Sequence, residues 1–317
     1  MKKIVTLFTL LMALNTSFAQ GTTDDALRKA VIKGNTAKVK ALIKSGVNIN
    51  AVDEEGHSVL MAASTLGNLD VVQILLKAKA DVNLATKDGV TALMGASYEG
   101  HTDVVKLLLN AGADVNAETY DADKTTALMM AASKGHENVV TELINPKLKI
   151  KASPKTINSA FFIAITFNQA KIVKILSDAG ANVNATYDEG ITPLIVACTT
   201  GRTEAAKALI DAGADVNTSF TKQRLTALIF ASAVGRSDVV KVLLEAKPNI
   251  NATDENGDTA LMKASEHGHM RVVRMLLLAG ANVNMVNKDG KTALALAQEK
   301  KHAAIIYLLK QRARTKK

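Results

Sequence analysis

Apolar and polar positions recur along this chain in two alternating patterns, each belonging to a different helix. In TALMGASYEG, residues 91–100, small and apolar residues at Ala92, Leu93 and Ala96 fall on one side of a short helix. In HTDVVKLLLNAGADVN, residues 101–116, the run of Val104, Val105, Leu107, Leu108 and Leu109 predicts a second, more apolar helix. Thr91 is placed to cap the first helix, because its hydroxyl can accept from the free backbone N–H groups one turn on. Gly100 and Gly112 follow the helical stretches, where a left-handed residue stops a helix. Turn formers fill the space between units. The pairs Glu55-Gly56, Asp88-Gly89, Glu189-Gly190 and Asp289-Gly290 fit tight hairpin tips.

This pattern returns through the chain in nearly the same letters. GADVN stands at 112–116 and again at 213–217, and TALM at 91–94, 126–129 and 259–262. Aligned on the opening Thr or Ser, units start at Ser58, Thr91, Thr126, Thr192, Thr226, Thr259 and Thr292, separated by 33, 35, 66, 34, 33 and 33 residues. A worn copy from Ser159 fills the interval of 66, and a further copy starts at Asp25, so nine units are expected. A single unit cannot bury both its helices. Stacking makes the core continuous, and each unit must then pack on a copy of itself. The end units are expected to turn charge to water, through Arg28, Lys29, Lys33 and Lys38 at one end and Lys300 and Lys301 at the other. The segment 145–172 is the most degenerate: it carries Pro146 and Pro154, lacks an Asp-Gly tip, and has Asn168 where other units have the helix-stopping glycine. It is the candidate hinge or special contact.

The period with T-x-L, A-x-x-G-H and L-L-x-x-G-A-D-V-N resembles the ankyrin repeat, over residues 24 to about 310. The resemblance implies an all-α repeat solenoid, a curved stack of helix-turn-helix units with β-hairpin tips. It also implies partner docking on the concave face, which the tips and the exposed flanks of the first helices build. The sequence departs from the family's T-P-L-H. Proline survives at Pro193, and the histidine position holds Met61, Met94, Met129, Phe162, Ile195, Ile229, Met262 and Ala295. Apolar contact is expected to replace a histidine-centred bond there.

Charge and targeting change the picture of compartment rather than of fold. The formal charge is +9, but Lys2 and Lys3 lie in the leader and five basic residues lie in the terminal KQRARTKK, residues 310–317; these seven leave +2 for the body. The leader, residues 1–19, has its two lysines, an apolar run from Ile4 to Leu14, and small residues at Ser17 and Ala19, which predicts a secretory signal peptide cleaved before Gln20. One repeat domain over residues 20–317 is expected to follow, exported to the periplasm or beyond the cell. With Cys198 as the one cysteine, no intramolecular disulfide can form, and the residue is expected in the core.

Candidate chemistry is sparse. His101, His136, His269 and His302 share one repeated site after the helix-stopping position and read as scaffold; His57 and His267 lack the companions of a metal site. No nucleophile elbow, phosphate loop or carboxylate pair stands out from the repeat, so neither enzyme nor cofactor nor metal is expected. Recognition of another protein by a monomer is the expected function, with no nucleic acid. The residues expected to carry it are Tyr98, Glu99, Lys134 and Phe167 on the first-helix flank, and Tyr120, Tyr187 and Phe220 at the tips, with the tips near Tyr120 and Phe220 lengthened by insertions. The alternative is peripheral contact with anionic lipid or another polyanion through the tail 310–317, which is not favoured.

Overall fold

The computed structural model describes residues 23–186, 190–220 and 222–314. Among them are eighteen helices: α1 (Thr23–Ile32), α2 (Thr36–Lys44), α3 (Val59–Thr65), α4 (Leu69–Lys77), α5 (Ala92–Glu99), α6 (Thr102–Asn110), α7 (Ala127–Lys134), α8 (Glu137–Leu143), α9 (Pro154–Thr166), α10 (Ala170–Asp178), α11 (Pro193–Thr200), α12 (Thr203–Asp211), α13 (Ala227–Ala233), α14 (Ser237–Glu245), α15 (Ala260–Glu266), α16 (Met270–Leu278), α17 (Ala293–Glu299) and α18 (Ala303–Arg314). The fold is an all-α repeat solenoid. First helices pack on first helices, as α3, α5 and α7 do, and second helices on second helices, as α6 does on α8 and α12 on α14. The chain divides inside α9 into two compact units, Met1–Ile163 and Ala164–Lys317.

Ser159 of the worn copy lies inside α9, where Ser153 takes over by accepting from the Thr156 N–H, but in the seven units that open at Ser58, Thr91, Thr126, Thr192, Thr226, Thr259 and Thr292 this residue caps the first helix. Its hydroxyl accepts from the backbone N–H three residues on, at 3.2 Å from Ser58 to Met61, 3.4 Å from Thr91 to Met94 and 3.2 Å from Thr226 to Ile229. The methionines at the third position do more than pack. The sulfurs of Met61 and Met262 each lie 3.4 Å from the N–H of their own cap residue, completing a reciprocal cap with a soft acceptor.

The histidines after the stop position join neighbouring units. The ring Nε2–H of His101 donates to the Thr65 carbonyl (3.0 Å), that of His136 to Tyr98 (2.9 Å), that of His269 to Ala233 (2.9 Å) and that of His302 to Glu266 (3.0 Å). Each accepting carbonyl belongs to the last turn of the preceding first helix, where backbone acceptors have no partner of their own. The glycine has a second duty here. Gly100 has φ +81°, and a Cβ on it would stand 2.7 Å from the His136 ring, so the same residue stops one helix and makes room for the next unit's imidazole.

The asparagine of ADVN forms a second ladder. Oδ1 of Asn50 accepts from the N–H of Asp81, that of Asn83 from Asp114, that of Asn184 from Asp215 and that of Asn251 from Asn282, all at 2.9 Å. A third ladder links the tips, where backbone N–H groups of Lys87, Tyr120, Glu255 and Lys288 donate to the carbonyls of Glu55, Asp88, Gln223 and Asn256.

The tips are less extended than expected. Among the described residues, one tip forms a two-stranded antiparallel sheet, β1 (Ser219–Phe220) with β2 (Leu225–Thr226), and three others close with a single bridge such as Val52 with Ser58. The degenerate segment keeps its junction. Asn168 adopts the left-handed conformation at φ +59°, as the missing glycine would, and its Oδ1 accepts from the Ala205 N–H at 3.0 Å. Cys198 is buried, and burial pushes its thiol up to about 12.

Two of the expected charged caps behave differently from each other. Lys29 is exposed and pairs with Asp25, whereas Arg28 is buried and lies 3.1 Å from the buried Asp53 carboxylate of the next unit. The expectation that Arg28 faces water is therefore corrected: it stands in α1 at the place that Met61 holds one period on, and its guanidinium meets the neighbouring tip.

Lys79, Lys247 and Lys301 take left-handed backbone where other units place glycine (φ +70°, +53° and +59°). A side chain there is strained by roughly 1 kcal/mol or more. Lys79→Gly and Lys301→Gly are each expected to raise stability by about 1 kcal/mol, whereas Gly100→Ala should lower it and loosen the His136 junction; denaturant melts of the three variants check this.

Candidate functional site

The surface expected to recognise a partner is built from tip residues and first-helix flanks, and the structure sorts its candidates into exposed and buried. Tyr120 sits at the lengthened tip before α7 and is 73% exposed. Its backbone is fixed by the bond from its N–H to the Asp88 carbonyl at 2.8 Å, and its ring edge lies beside Gly89 of the preceding tip. Thr119 steadies the same loop, accepting from the Thr125 N–H and donating to Asp121. Tyr120 is thus a large side chain held over solvent by an ordered backbone.

Tyr98 does not fit that description. It is 9% exposed, and the Lys134 ammonium lies over its ring at 4.2 Å. It follows that Tyr98 is corrected from an exposed anchor to a packed residue whose carbonyl receives His136. Lys134 remains exposed and Glu99 is half-buried, both at the C-terminal ends of first helices. Phe220 is also corrected. It is 7% exposed, because β1 turns its ring inward onto Phe230 of α13, with centroids 6.3 Å apart. Phe167, just past α9, is 40% exposed. Tyr187 lies outside the described residues.

Two polar clusters were missed in the sequence. Asp53 anchors its tip by accepting from the N–H groups of Glu55 and His57 and from the His57 ring, besides Arg28. Burial opposes its charge, but the His57 backbone, then the His57 ring and Arg28, outweigh that and hold the carboxyl below its usual value. In a later unit Lys263 enters a first-helix position held elsewhere by Ala62, Gly95 and Met130. It contacts Asp258 at 2.6 Å and Asp254 at 3.3 Å, and Asn287 donates to Asp258 from the next tip. Burial works against the Lys263 charge, and Asp258, then Asp254, more than restores it and raises its pKa. Both clusters turn their charges on one another, which suits tip-to-tip fastening. The signal that could have found them is a charged residue at a position where the other units carry small or apolar ones.

Away from the tips, Thr102, Asp103, Lys106, Asn138, Thr141 and Glu142 line a shallow cleft of 460 Å³ on the outer side of α6 and α8. Lys106 reaches both Asp103 and Glu142 there. Among the described residues, no three His, Cys, Asp or Glu side chains gather as metal ligands do.

A family model of three consecutive ankyrin repeats matches residues 27–119, 117–187, 161–254 and 247–317. The chain belongs to the ankyrin-repeat family. Ankyrin repeats generally mediate protein–protein interaction, and the family is typically a scaffold rather than a catalyst. No match was found among curated proteins. For an ankyrin stack the tip ladder and the first-helix flanks are the natural place to look for a partner, and Tyr120 is the described tip aromatic that stays exposed.

The Arg28–Asp53 pair lends itself to a direct test. Asp53→Asn leaves a buried guanidinium without its counter-charge and is expected to cost about 3 kcal/mol or more, read as faster hydrogen exchange over residues 24–44. Because the folded pKa of Asp53 is depressed, its contribution is present above about pH 4 and lost as the pH falls through the folded value. Arg28→Met should cost less, since the His57 N–H still holds Asp53; equal exchange in both variants would remove the ion pair from this role.

Proposed function

We propose that this ankyrin protein is an exported, non-enzymatic stack of nine units that binds another protein through its tips and first-helix flanks. Tyr120 carries the reading: an aromatic side chain exposed on an ordered, lengthened tip. Tyrosine is among the residues that anchor interfaces, because it adds large contact area at small entropic cost and brings a polar end. The tip around it adds the half-buried Glu118, paired with Lys155 at 2.7 Å, so polar groups rim the ring. Glu99 and Lys134 on the flanks are secondary contacts in this reading.

A photo-crosslinker at position 120, compared with one at Asn138 on the outer cleft, tests the surface. Crosslinks to a discrete protein from position 120 alone are expected, and Tyr120→Ala should weaken capture of that protein roughly tenfold. Crosslinking from position 138 alone would place recognition on the other face.

Export rests on the leader, residues 1–19, which lie outside the described residues. The two lysines, the apolar run and the small residues before Gln20 support it. Mass spectrometry of the protein from its natural host is expected to find Gln20 at the mature N-terminus; a cytosolic protein retaining Met1 would refute export.

A further inference from the structure

From α4 to α14 the second helices carry polar residues at their outward positions, and the last two do not. The second, fifth and ninth residues face outward: Asp103, Lys106 and Asn110 in α6; Glu204, Lys207 and Asp211 in α12; Asp238, Lys241 and Glu245 in α14. All nine are polar and the signs are mixed. In α16 the same places hold Arg271, Arg274 and Leu278, and in α18 the fifth place holds Tyr307. Leu278 is 84% exposed and Tyr307 is 66% exposed. These side chains belong to neighbours: α16 packs on α18, Arg312 donates to the Leu277 carbonyl at 3.3 Å, and Tyr307 occupies the place in its unit that Arg274 has in the one before.

Charge changes at the same point. Residues 270–317 contain eleven Lys and Arg against Asp289 and Glu299, a net +9 equal to that of the whole chain, so residues 1–269 sum to zero. Arg271 has a partner in Asp238 at 3.7 Å, but both side chains are 75% exposed and screened by water. Lys300 and Lys301 in the turn before α18, and Lys310 within it, are exposed as well.

We propose that the outer faces of α16 and α18 form a docking surface for an anionic lipid bilayer. Basic side chains draw such a surface to lipid headgroups, and exposed Leu and Tyr side chains enter the interface between headgroups and acyl chains. A nucleic acid would meet the charge but give Leu278 nothing to bury against. A second copy would bring +9 against +9. Among the described residues no helix is long and apolar enough to cross a membrane; the contact proposed is a surface one. It is separate from the tip surface, so loss of one leaves the other to be observed.

Sedimentation of the full chain with vesicles tests this, using phosphatidylcholine alone and phosphatidylcholine with phosphatidylglycerol. Binding is expected to the anionic vesicles and to fall with salt. The charge variant Arg274→Glu/Lys310→Glu should weaken it roughly tenfold or more, and the apolar variant Leu278→Ser/Tyr307→Ser severalfold, with unchanged circular dichroism and melting. Three outcomes overturn the proposal: equal binding to neutral and anionic vesicles, or to neither; an apolar variant that binds anionic vesicles as well as the wild type, which would leave only attraction to any polyanion such as a DNA duplex; or sedimentation of the free protein as a dimer that Leu278→Ser/Tyr307→Ser dissociates.

Discussion

The hydrogen bond from an imidazole to the last turn of the neighbouring first helix sets the terms for the rest of this stack. A helix of seven or eight residues leaves most of its C-terminal carbonyls without internal partners. In water that is cheap, but between packed units it is not. His101, His136, His269 and His302 meet this need across the junction. The geometry then propagates. The ring must lie over the stop residue of the preceding unit, so that residue must lack a side chain, and glycine serves both the left-handed turn and the close approach. One hydrogen bond thereby dictates the pairing of Gly in one unit with His in the next, which reads in the sequence as the recurring G-H.

Junctions without the imidazole show that the requirement is for a polar bond rather than for histidine. Asn168 adopts the left-handed conformation itself and sends its own Oδ1 to the Ala205 N–H. As in the histidine case the donor stands in the later unit and the acceptor in the earlier one, but here the side chain is the acceptor, and it satisfies an N–H at a helix start rather than a carbonyl at a helix end. The asparagine ladder after each second helix follows the same logic, with a side-chain oxygen caught between two successive backbone segments. In a repeat protein stability is a sum over such junctions. The degenerate look of the segment around Asn168 therefore says little about local weakness, since its polar bond was retained with different atoms.

Much of the fold was legible because local chemistry and the repeat agree. Thr91 predicts a cap and is one; Gly100 predicts a stop and is one. Side-chain direction was legible only in part. Tyr98 stands on a flank that spacing assigns to solvent, yet its ring is covered by the Lys134 ammonium, from a residue 36 positions away. Phe220 was hidden for a related reason. The other units place Ala62, Gly95 or Met130 where this one places Phe230, and only the bulk of Phe230 gives Phe220 an inward partner. Arg28 was read as a surface charge because end units face water on one side, but its neighbour on the other side supplies Asp53. In each instance the deciding contact crosses a junction, and a unit-by-unit reading does not see across one.

The same division separates positions fixed by stacking from positions open to function. The cap, the stop glycine, the imidazole, the asparagine and the inward residues of the second helices are all consumed by junctions, and their chemistry is explained once the neighbour is in place. The side chains of tip insertions and of outward second-helix positions face water, even where a tip backbone bond or an exposed ion pair bridges two units. A polar residue there needs only water, so polarity is the default and requires no further cause. Departures from the default at such sites are the informative ones: an exposed Tyr120 on an ordered tip in one compact unit, and Leu278 and Tyr307 amid excess positive charge in the other. Stacking gives no account of the exposed apolar surface at these places, and the company of the two sites differs, polar at the tip and basic at the outer face, so the two proposals made for them rest on different chemistry.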